Sequence, residues 1–286
     1  MRRLASAVLL VGAATLVLAA APAAAASRDV AALQTALHAV GVFGGNVDGV
    51  PGAQTRAAVR RFQRRHGLLA DGVAGPRTRA ALGRRGRPAW GSRTIGPRMR
   101  GWDVAALQFA LSAHGFPCGP LDGGFGSRVE ASLLRFQRFA GLPAVGVAGP
   151  ATRAALRRPP PGAPLRVRRP VAAPIGDRWG ARGAAWHPGL DFPAPSGAPV
   201  TAALAGRVVT AGYVADGYGK RIVLDHGAGE QTLYAHLTAV LAAPGAQVSA
   251  GTLIGRVGST GFSTGPHLHF EIRVNGAAIN PEPALS

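Results

Sequence analysis

The chain has 286 residues, of which 47% are hydrophobic and 16% are charged, and it includes 41 glycines and 23 prolines. This composition is too apolar for a disordered chain and too rich in turn formers for a single long helix. Only one uncharged stretch, residues 4–27, is long enough to cross a bilayer. A protein that crosses the membrane several times is therefore also excluded. We expect a globular protein of one to three domains.

The positive charge of the chain is confined to its N-terminal part. Residues 1–170 hold 25 basic and six acidic residues, a net charge of +19, whereas residues 171–286 hold seven of each. A basic region of this kind favours a polyanionic partner. Nucleic acid is disfavoured, because aromatic residues are scarce near the basic runs and no nucleic-acid reader motif is present.

Residues 1–26 have the pattern of a signal peptide, with Arg2 and Arg3 before an apolar stretch that ends in three alanines. An uncleaved N-terminal anchor is the alternative. Either one places the rest of the chain outside the cytoplasm and limits membrane contact to this segment. Cys118 is the single cysteine, so no disulfide can form within the chain, and we expect its thiol to be buried.

The next part of the chain is duplicated. Residues 29–82 recur as residues 103–156 at a constant offset of 74, and 32 of the 54 aligned positions are identical. In each copy, apolar residues at three- and four-residue spacing predict a first helix that stops at Gly41 or Gly115. A second helix and a short third one opened by Pro76 or Pro150 follow. The sequence therefore predicts two small three-helix bundles, residues 27–83 and 101–157.

Each copy resembles the peptidoglycan-binding domain, type 1, in the order of its Leu-Gln, Asp-Gly, Phe-Gln and Gly-Val-Ala-Gly-Pro motifs. The resemblance implies that the repeats bind peptidoglycan. Copy 2 has Val129 and Val145 where copy 1 has Thr55 and Asp71, so we expect copy 1 to bind at least as tightly. Helical spacers without ligand affinity are the alternative.

Segments rich in arginine, glycine and proline follow both repeats. Residues 84–100 and 158–171 are predicted linkers, and three successive prolines make the second one a semi-rigid spacer. Residues 172–286 form the third region, where short runs rich in β-forming residues alternate with Gly and Pro turns. They predict a mostly antiparallel β domain, with strands over residues 200–204, 206–214, 221–224, 231–237, 252–257 and 267–274.

Five of the eight histidines lie in this β domain. One pair of candidate ligands is His187-x-x-x-Asp191, in an irregular loop that leads into a strand. In the run His267-Leu-His269-Phe-Glu271, strand alternation places both histidines and the glutamate on one face. The same rule groups Thr232, Tyr234 and His236 on a face of another strand, and His226 is predicted to lie in a turn. The Gly-rich run 259–265 is interpreted as a loop at the edge of a groove.

Two histidines and one carboxylate are the protein ligands of many catalytic zinc sites, which leave the fourth position open. The motifs in residues 187–271 closely resemble the lysostaphin-type (LytM-like) zinc metallopeptidases, which cut peptide cross-links of peptidoglycan. The resemblance implies that His187, Asp191 and His269 bind Zn²⁺. It also implies that His236 and His267 are catalytic and divide the general-base and electrophilic roles, without showing which does which. Tyr234 and Glu271 are candidates for supporting positions around the ligands.

The leading hypothesis is a secreted, cell-wall associated zinc endopeptidase, monomeric and targeted to peptidoglycan by its two repeats. Anionic wall polymers are a further possible partner of the basic region. The alternative is a non-catalytic peptidoglycan-binding protein or a regulator of another wall hydrolase. A basic, nucleic-acid-binding protein is the third hypothesis, and the export signal argues against it.

Overall fold

The computed structural model of the protein describes residues 26–286, so the expected signal peptide lies, except for its last residue, outside the described residues. Six α-helices come first: α1 Arg28–Ala39, α2 Ala53–Arg65, α3 Pro76–Ala81, α4 Trp102–Ala113, α5 Ser127–Phe139 and α6 Pro150–Ala155, with a 3-10 helix at Gly83–Gly86. None of the helices within this described range is long and apolar enough to span a bilayer.

Twelve strands occupy the rest of the described chain, and a 3-10 helix at Glu282–Ala284 follows them. They are β1 Gly180–Arg182, β2 Ala185–His187, β3 Leu190–Pro193, β4 Pro199–Thr201, β5 Gly206–Val214, β6 Gly219–Gly227, β7 Glu230–Ala235, β8 Ala239–Val240, β9 Gln247–Val248, β10 Leu253–Arg256, β11 His267–Val274 and β12 Ala277–Ile279.

The helix boundaries follow the predicted signals. Pro76 and Pro150 are the first residues of α3 and α6, where a missing N–H costs no helical hydrogen bond. Gly41 and Gly115 follow α1 and α4 with φ angles of +70° and +86°, a left-handed conformation that stops a helix. The apolar stripe of α1 is buried as expected, including Leu33 and Leu37.

The two repeats share their interior. The helix α1 packs mainly against α4, and Leu37 and Ala106 belong to one cluster of buried side chains. The indole Nε1 of Trp102 donates to Oδ1 of Asp29 at 2.9 Å, which joins the two copies. Six helices are thus present in the N-terminal region, but the prediction of two separate three-helix bundles is not confirmed. Each small unit has too little interior of its own, and the first helices bury their apolar faces against one another.

The β region is mostly antiparallel, as predicted. Seven strands form the main sheet in the order β12-β11-β7-β6-β5-β9, with β3 also paired to β11, and β4-β10-β8 form a smaller sheet. One face of the main sheet contributes Leu224, Phe270 and Ile272 to a core that also contains Val200 and Ile254 of the smaller sheet. The opposite face of β11 is therefore left free to carry polar side chains.

The segments predicted as linkers are packed against the domains. Ile95 is fully buried and pairs with Ala148 of the second repeat, and Val167 lies in the core of the β region with its N–H bonded to the Ala284 carbonyl oxygen at 2.9 Å. The predicted semi-rigid spacer of residues 158–171 thus has its last part, from Leu165, packed against the β region, whereas Pro159 and Pro160 are exposed. Packing Leu165 and Val167 against the β region removes their apolar side chains from water, which is favourable in free energy. An extended tether would leave these side chains exposed.

The β region also docks directly on both repeats. Main-chain hydrogen bonds run from Leu121 N–H to the Ala184 oxygen at 2.7 Å and from Ala278 N–H to the Gly115 oxygen at 2.9 Å. The first repeat contributes a further bond, from Val47 N–H to the Gly183 oxygen at 2.9 Å. The bond to Ala184 places the second repeat beside the first residue of β2, and β2 ends at His187, one of the candidate site residues.

Candidate metal centre and active-site groove

Three side chains converge at the free face of β11. The Nε2 atom of His187 lies 3.0 Å from Oδ1 of Asp191, and Nδ1 of His269 lies 2.8 Å from the same oxygen. The two imidazole nitrogens are 3.0 Å apart. All three residues are buried. The structure thus brings together the three residues that the sequence resemblance implied as metal ligands.

The strand register explains this convergence. The short strand β3 pairs with β11 so that Asp191 lies opposite His269. A Cβ atom at Gly189 would lie 2.3 Å from the Phe270 carbonyl oxygen, so the absence of a side chain lets the chain pass close to β11 and return. His187 is thereby placed beside the other two candidate ligands.

Hydrogen bonds fix the orientation of both imidazole rings. The Nδ1–H of His187 donates to the Arg178 carbonyl oxygen at 2.9 Å, and Nε2–H of His269 donates to Oε1 of Glu271 at 3.0 Å. The opposite nitrogen of each ring therefore faces Asp191 and is the atom that a metal would use. Two imidazole nitrogens and one carboxylate oxygen are a donor set that suits zinc.

The Asp191 carboxylate is held in its ionised form. Burial raises the pKa of this carboxyl, but hydrogen bonds from His187 and His269 outweigh burial and keep its pKa well below the ordinary value. Its second oxygen, Oδ2, accepts from the guanidinium of Arg182 at 3.3 Å. The carboxylate is thus ready to accept a cation without first losing a proton.

On the side of His269 away from Asp191, its Nε2 contacts a network formed by Glu271, Arg273 and Tyr218. Burial raises the pKa of Glu271, but the charges of Arg273 and His269 and their hydrogen bonds lower it below its usual range, so this carboxylate is ionised. Nε of Arg273 donates to Oε2 of Glu271 at 2.7 Å, and the hydroxyl of Tyr218 donates to Oε1 at 2.5 Å. Carboxylates in this position orient the metal-binding imidazole and raise its basicity.

His236 and His267 lie together on the other side of the centre, with ring centroids 4.7 Å apart. The Nδ1–H of His236 donates to the Thr260 oxygen at 2.7 Å, and Nδ1–H of His267 donates to the Gly265 oxygen at 2.8 Å. In both rings Nε2 is thus the nitrogen not engaged by these bonds, and that of His267 lies 3.7 Å from Oδ1 of Asp191. Burial lowers the pKa of His236 to about 4, so its imidazole is neutral at physiological pH.

One prediction about strand faces is wrong. Tyr234 does not share a face with His236; its hydroxyl accepts the Ala203 N–H at 2.8 Å inside the core, beside Phe270. The reason is that β7 ends at Ala235 and His236 has a φ angle of +60°, which breaks the alternation of the strand. Tyr234 is therefore a core residue, whereas Glu271 does contact a candidate ligand.

His226 is also placed differently from its prediction. It lies within β6, just before the turn, and its two ring nitrogens bond to the Ala205 oxygen and to the hydroxyl of Thr232 at 2.8 and 2.9 Å. These contacts join neighbouring strands away from the metal centre. His226 is thus a structural histidine.

The centre opens into a groove of about 1070 Å³. Its lining includes all five predicted site residues and residues 262–265 of the Gly-rich loop, which forms one edge as predicted. Three other lining residues come from the second repeat: Pro117, Gly119 and Arg128. Sequence reasoning missed this contribution. It also missed the contact of Tyr218 with Glu271.

The repeats contain a second group of buried polar residues. The side-chain amide of Gln34 donates to Asp48, Val50 and Thr55, and its oxygen accepts the Gly49 N–H at 2.8 Å. This arrangement closes the loop between α1 and α2 around one fully bonded amide.

The arrangement repeats 29 residues later in the first copy. The side-chain amide of Gln63 donates to Oδ1 of Asp71 at 2.7 Å and to Oγ1 of Thr78 at 3.1 Å. Thr55 and Asp71 therefore bond to the buried glutamines of their own loops. Their replacement by valines in copy 2 removes loop hydrogen bonds, so these positions give no reason to expect tighter ligand binding by copy 1.

Family models match most of the described chain. The model "Peptidase family M23" matches residues 185–281, and the model "Putative peptidoglycan binding domain" matches residues 26–82 and 100–156. Among curated proteins, the DD-carboxypeptidase/endopeptidase Mpg of Neisseria meningitidis serogroup B is 46% identical over 113 residues, which are 39% of this chain and 26% of that protein.

Two further relatives differ in the activity that their names state. The murein hydrolase activator EnvC of Escherichia coli is 40% identical over 118 residues, 41% of this chain and 28% of that protein. The catalytic domain of the antimicrobial peptidase lysostaphin from Staphylococcus simulans is 36% identical, with 39% of this chain and 90% of that chain covered and a TM-score of 0.37. The chain thus spans only about a quarter of the length of the curated relatives that it matches.

Proposed function

Because the chain carries a peptidase family M23 domain and two peptidoglycan-binding repeats, we propose that it is a zinc-dependent endopeptidase that cleaves peptide cross-links of peptidoglycan. The observation that carries the proposal is the orientation of His187 and His269. Hydrogen bonds to Arg178 and Glu271 turn the other nitrogen of each ring toward the ionised carboxylate of Asp191. An ordinary pair of structural histidines needs no such convergence.

In the proposed mechanism, His187, Asp191 and His269 hold the zinc ion. Bound there, zinc supplies a Lewis acid for the scissile carbonyl and lowers the pKa of a water molecule toward neutrality. Nε2 of a neutral His236 or His267 accepts a proton from the attacking water, and the protonated ring then donates to the leaving amine. The second of these two histidines donates a hydrogen bond to the oxygen that gains negative charge.

The geometry favours His236 as the base. Its Nδ1–H is committed to the Thr260 oxygen, so Nε2 is the nitrogen left to accept a proton. His267 lies nearer to the candidate ligands, with 3.7 Å between its Nε2 and Oδ1 of Asp191. We therefore assign His267 the electrophilic role.

The repeats would target the enzyme to its substrate, and the location that follows is the cell wall, after export. We retain the domain division predicted from the sequence, with repeats at 27–83 and 101–157 and the peptidase at 172–286. The net charge of +19 in residues 1–170 favours further attraction to anionic wall polymers.

The competing function is that of an activator of another hydrolase, which the name of the relative from Escherichia coli suggests. Purified protein separates the two. We expect one bound zinc per chain and release of cross-link fragments from sacculi by the protein alone, lost with a chelator and restored by zinc. Zinc-loaded protein that releases fragments only when a second hydrolase is added would contradict the endopeptidase proposal.

A further inference from the structure

The groove that contains the metal centre crosses the boundary between the peptidase and the second repeat. Pro117, Gly119 and Arg128 of the repeat line it together with His187 and His267 of the peptidase. Arg128 is an exposed residue at the start of α5, and its side chain extends across Gly119. A Cβ atom at Gly119 would lie 3.1 Å from Cδ of Arg128.

The side of the groove that the second repeat forms is held in place by hydrogen bonds of the loop of residues 115–121. The loop of residues 115–121 receives one hydrogen bond from β12, from Ala278 N–H to Gly115, and gives one to Ala184 beside β2. On the same interface the Phe109 and Trp186 rings meet edge to face with centroids 5.7 Å apart. Since β2 also ends in His187, the repeat and the metal centre share a rigid connection.

The charges along the groove are paired, with one exception. Of its lining residues, Arg182 bonds to Asp177 at 3.1 Å and to Asp191 at 3.3 Å, and Asp216 bonds to Arg221 at 2.5 Å. Arg128 forms no ion pair with any acidic residue in the described part of the chain. The groove therefore offers one uncompensated cation to a ligand.

More positive charge lies directly beyond it. A neighbouring cavity of about 410 Å³ shares Pro117, Gly119 and Arg128 with the groove and adds Arg135 and Arg138 of α5. Burial and, to a smaller extent, the nearby charge of Arg273 lower the pKa of Arg135. Arginine forks suit carboxylates, which they bind through two parallel hydrogen bonds.

We propose that the second repeat is part of the catalytic groove and that Arg128 binds a carboxylate of the peptide substrate, which makes it a specificity-determining residue. This inference rests on the proposed endopeptidase function. It gives the repeat a role next to the bond that is cleaved, in addition to binding peptidoglycan. The substrate class is a cross-linked peptide that bears a free carboxylate close to the bond that is cleaved.

The test compares soluble cross-linked muropeptide dimers with the same dimers after conversion of their carboxylates to carboxamides. Separate samples are amidated only at the C-terminal carboxylate or only at the other carboxylates, to identify which one is bound. We expect the zinc-loaded full chain to prefer the carboxylate form about tenfold in kcat/KM, mainly through KM, as for a hydrogen bond to a charged group.

The Arg128→Ala variant should lose this preference, and Arg128→Lys should keep part of it. Arg64→Ala, which removes an exposed arginine of α2 outside the groove, should behave as the wild type. Titration calorimetry with the same dimers and the metal-free full chain measures the preference independently of cleavage. Equal affinity of the wild type for both forms, or an unchanged preference in Arg128→Ala, would overturn the inference. Preferential binding without any cleavage would instead contradict the proposed endopeptidase function.

Discussion

Nε2 of His269 lies 3.0 Å from Oε1 of Glu271, a carboxylate that has no solvent exposure. We expect Glu271→Gln to weaken zinc binding about 10- to 100-fold, because the loss of the negative charge lowers the basicity of the ligand imidazole. Competition with a chromogenic chelator measures the affinity. Glu230→Gln, on the neighbouring strand β7, is the matched control. Unchanged affinity in Glu271→Gln would show that this contact has no influence on the metal.

Substitution of the five site residues should separate ligands from catalytic groups. Alanine at His187, Asp191 or His269 should abolish both stoichiometric zinc and activity. Alanine at His236 or His267 should retain zinc and lower turnover by about 10²-fold or more, as for the loss of an acid or base group. Metal analysis and dimer cleavage are the two measurements.

The control for that series is the structural histidine of β6. His226→Ala should keep both zinc and activity, because its ring bonds only to Ala205 and Thr232, away from the groove. Stoichiometric zinc in Asp191→Ala would show that the ligand assignment is wrong.

Two equivalent glycines test the docking of the peptidase. Gly41 and Gly115 both have positive φ angles, +70° and +86°, so alanine at either position costs about 1–2 kcal/mol of backbone strain. A Cβ atom at Gly115 would also lie 2.2 Å from the Ala278 oxygen, whereas nothing lies within 4 Å of one at Gly41. Gly115→Ala should therefore lower the thermal unfolding midpoint clearly more than Gly41→Ala, and equal decreases would contradict the docked arrangement.

The single cysteine should be chemically inert in the folded protein. Cys118 is buried beside Ser112, and burial raises the pKa of its thiol to about 12. Since the thiolate is the reactive form, a disulfide reagent at pH 8 should label the native chain very slowly and the chain in guanidinium at the rate of free cysteine. Rapid labelling of the native protein would show that this part of the second repeat opens readily.

Adsorption of the protein to cell walls should depend on salt. Residues 1–170 carry a net charge of +19, or +17 without Arg2 and Arg3, and the Debye length falls from about 10 Å at 0.1 M salt to about 3 Å at 1 M. Binding to sacculi in a pelleting assay should therefore weaken over this range. Sacculi stripped of anionic polymers should show a smaller change. Adsorption that is independent of salt would leave peptidoglycan contacts alone as the basis of targeting.

Local sequence rules predicted the parts of the site that lie on regular elements. The alternation in β11 correctly placed Leu268 and Phe270 in the core and His269 on the opposite face. The same rule failed at His236, because a left-handed residue at the end of a strand cannot be recognised from alternation. Such exceptions depend on tertiary contacts, here the bond from His236 to the Thr260 oxygen.

Contacts between distant parts of the chain could not be predicted from local sequence patterns. Nothing in the composition of residues 158–171 showed that Val167 would enter the core of the β region. The position of Arg128 at the groove depends on docking that uses main-chain atoms, such as the Leu121 N–H and the Ala184 oxygen. Main-chain bonds of this kind leave no residue-type pattern, which is why the shared groove emerges only from the fold.

The contact of Gly115 with Ala278 restricts how this protein can change during evolution. A wall-binding module joined to a peptidase domain only by a tether could be exchanged for another without any change to the groove. Here an exchanged module would have to supply a glycine against β12 and an edge for the groove, or one side of the groove would be missing. We expect the loop of residues 115–121 and the strand β12 to vary together among descendants of this chain, so that both parts are inherited as one unit.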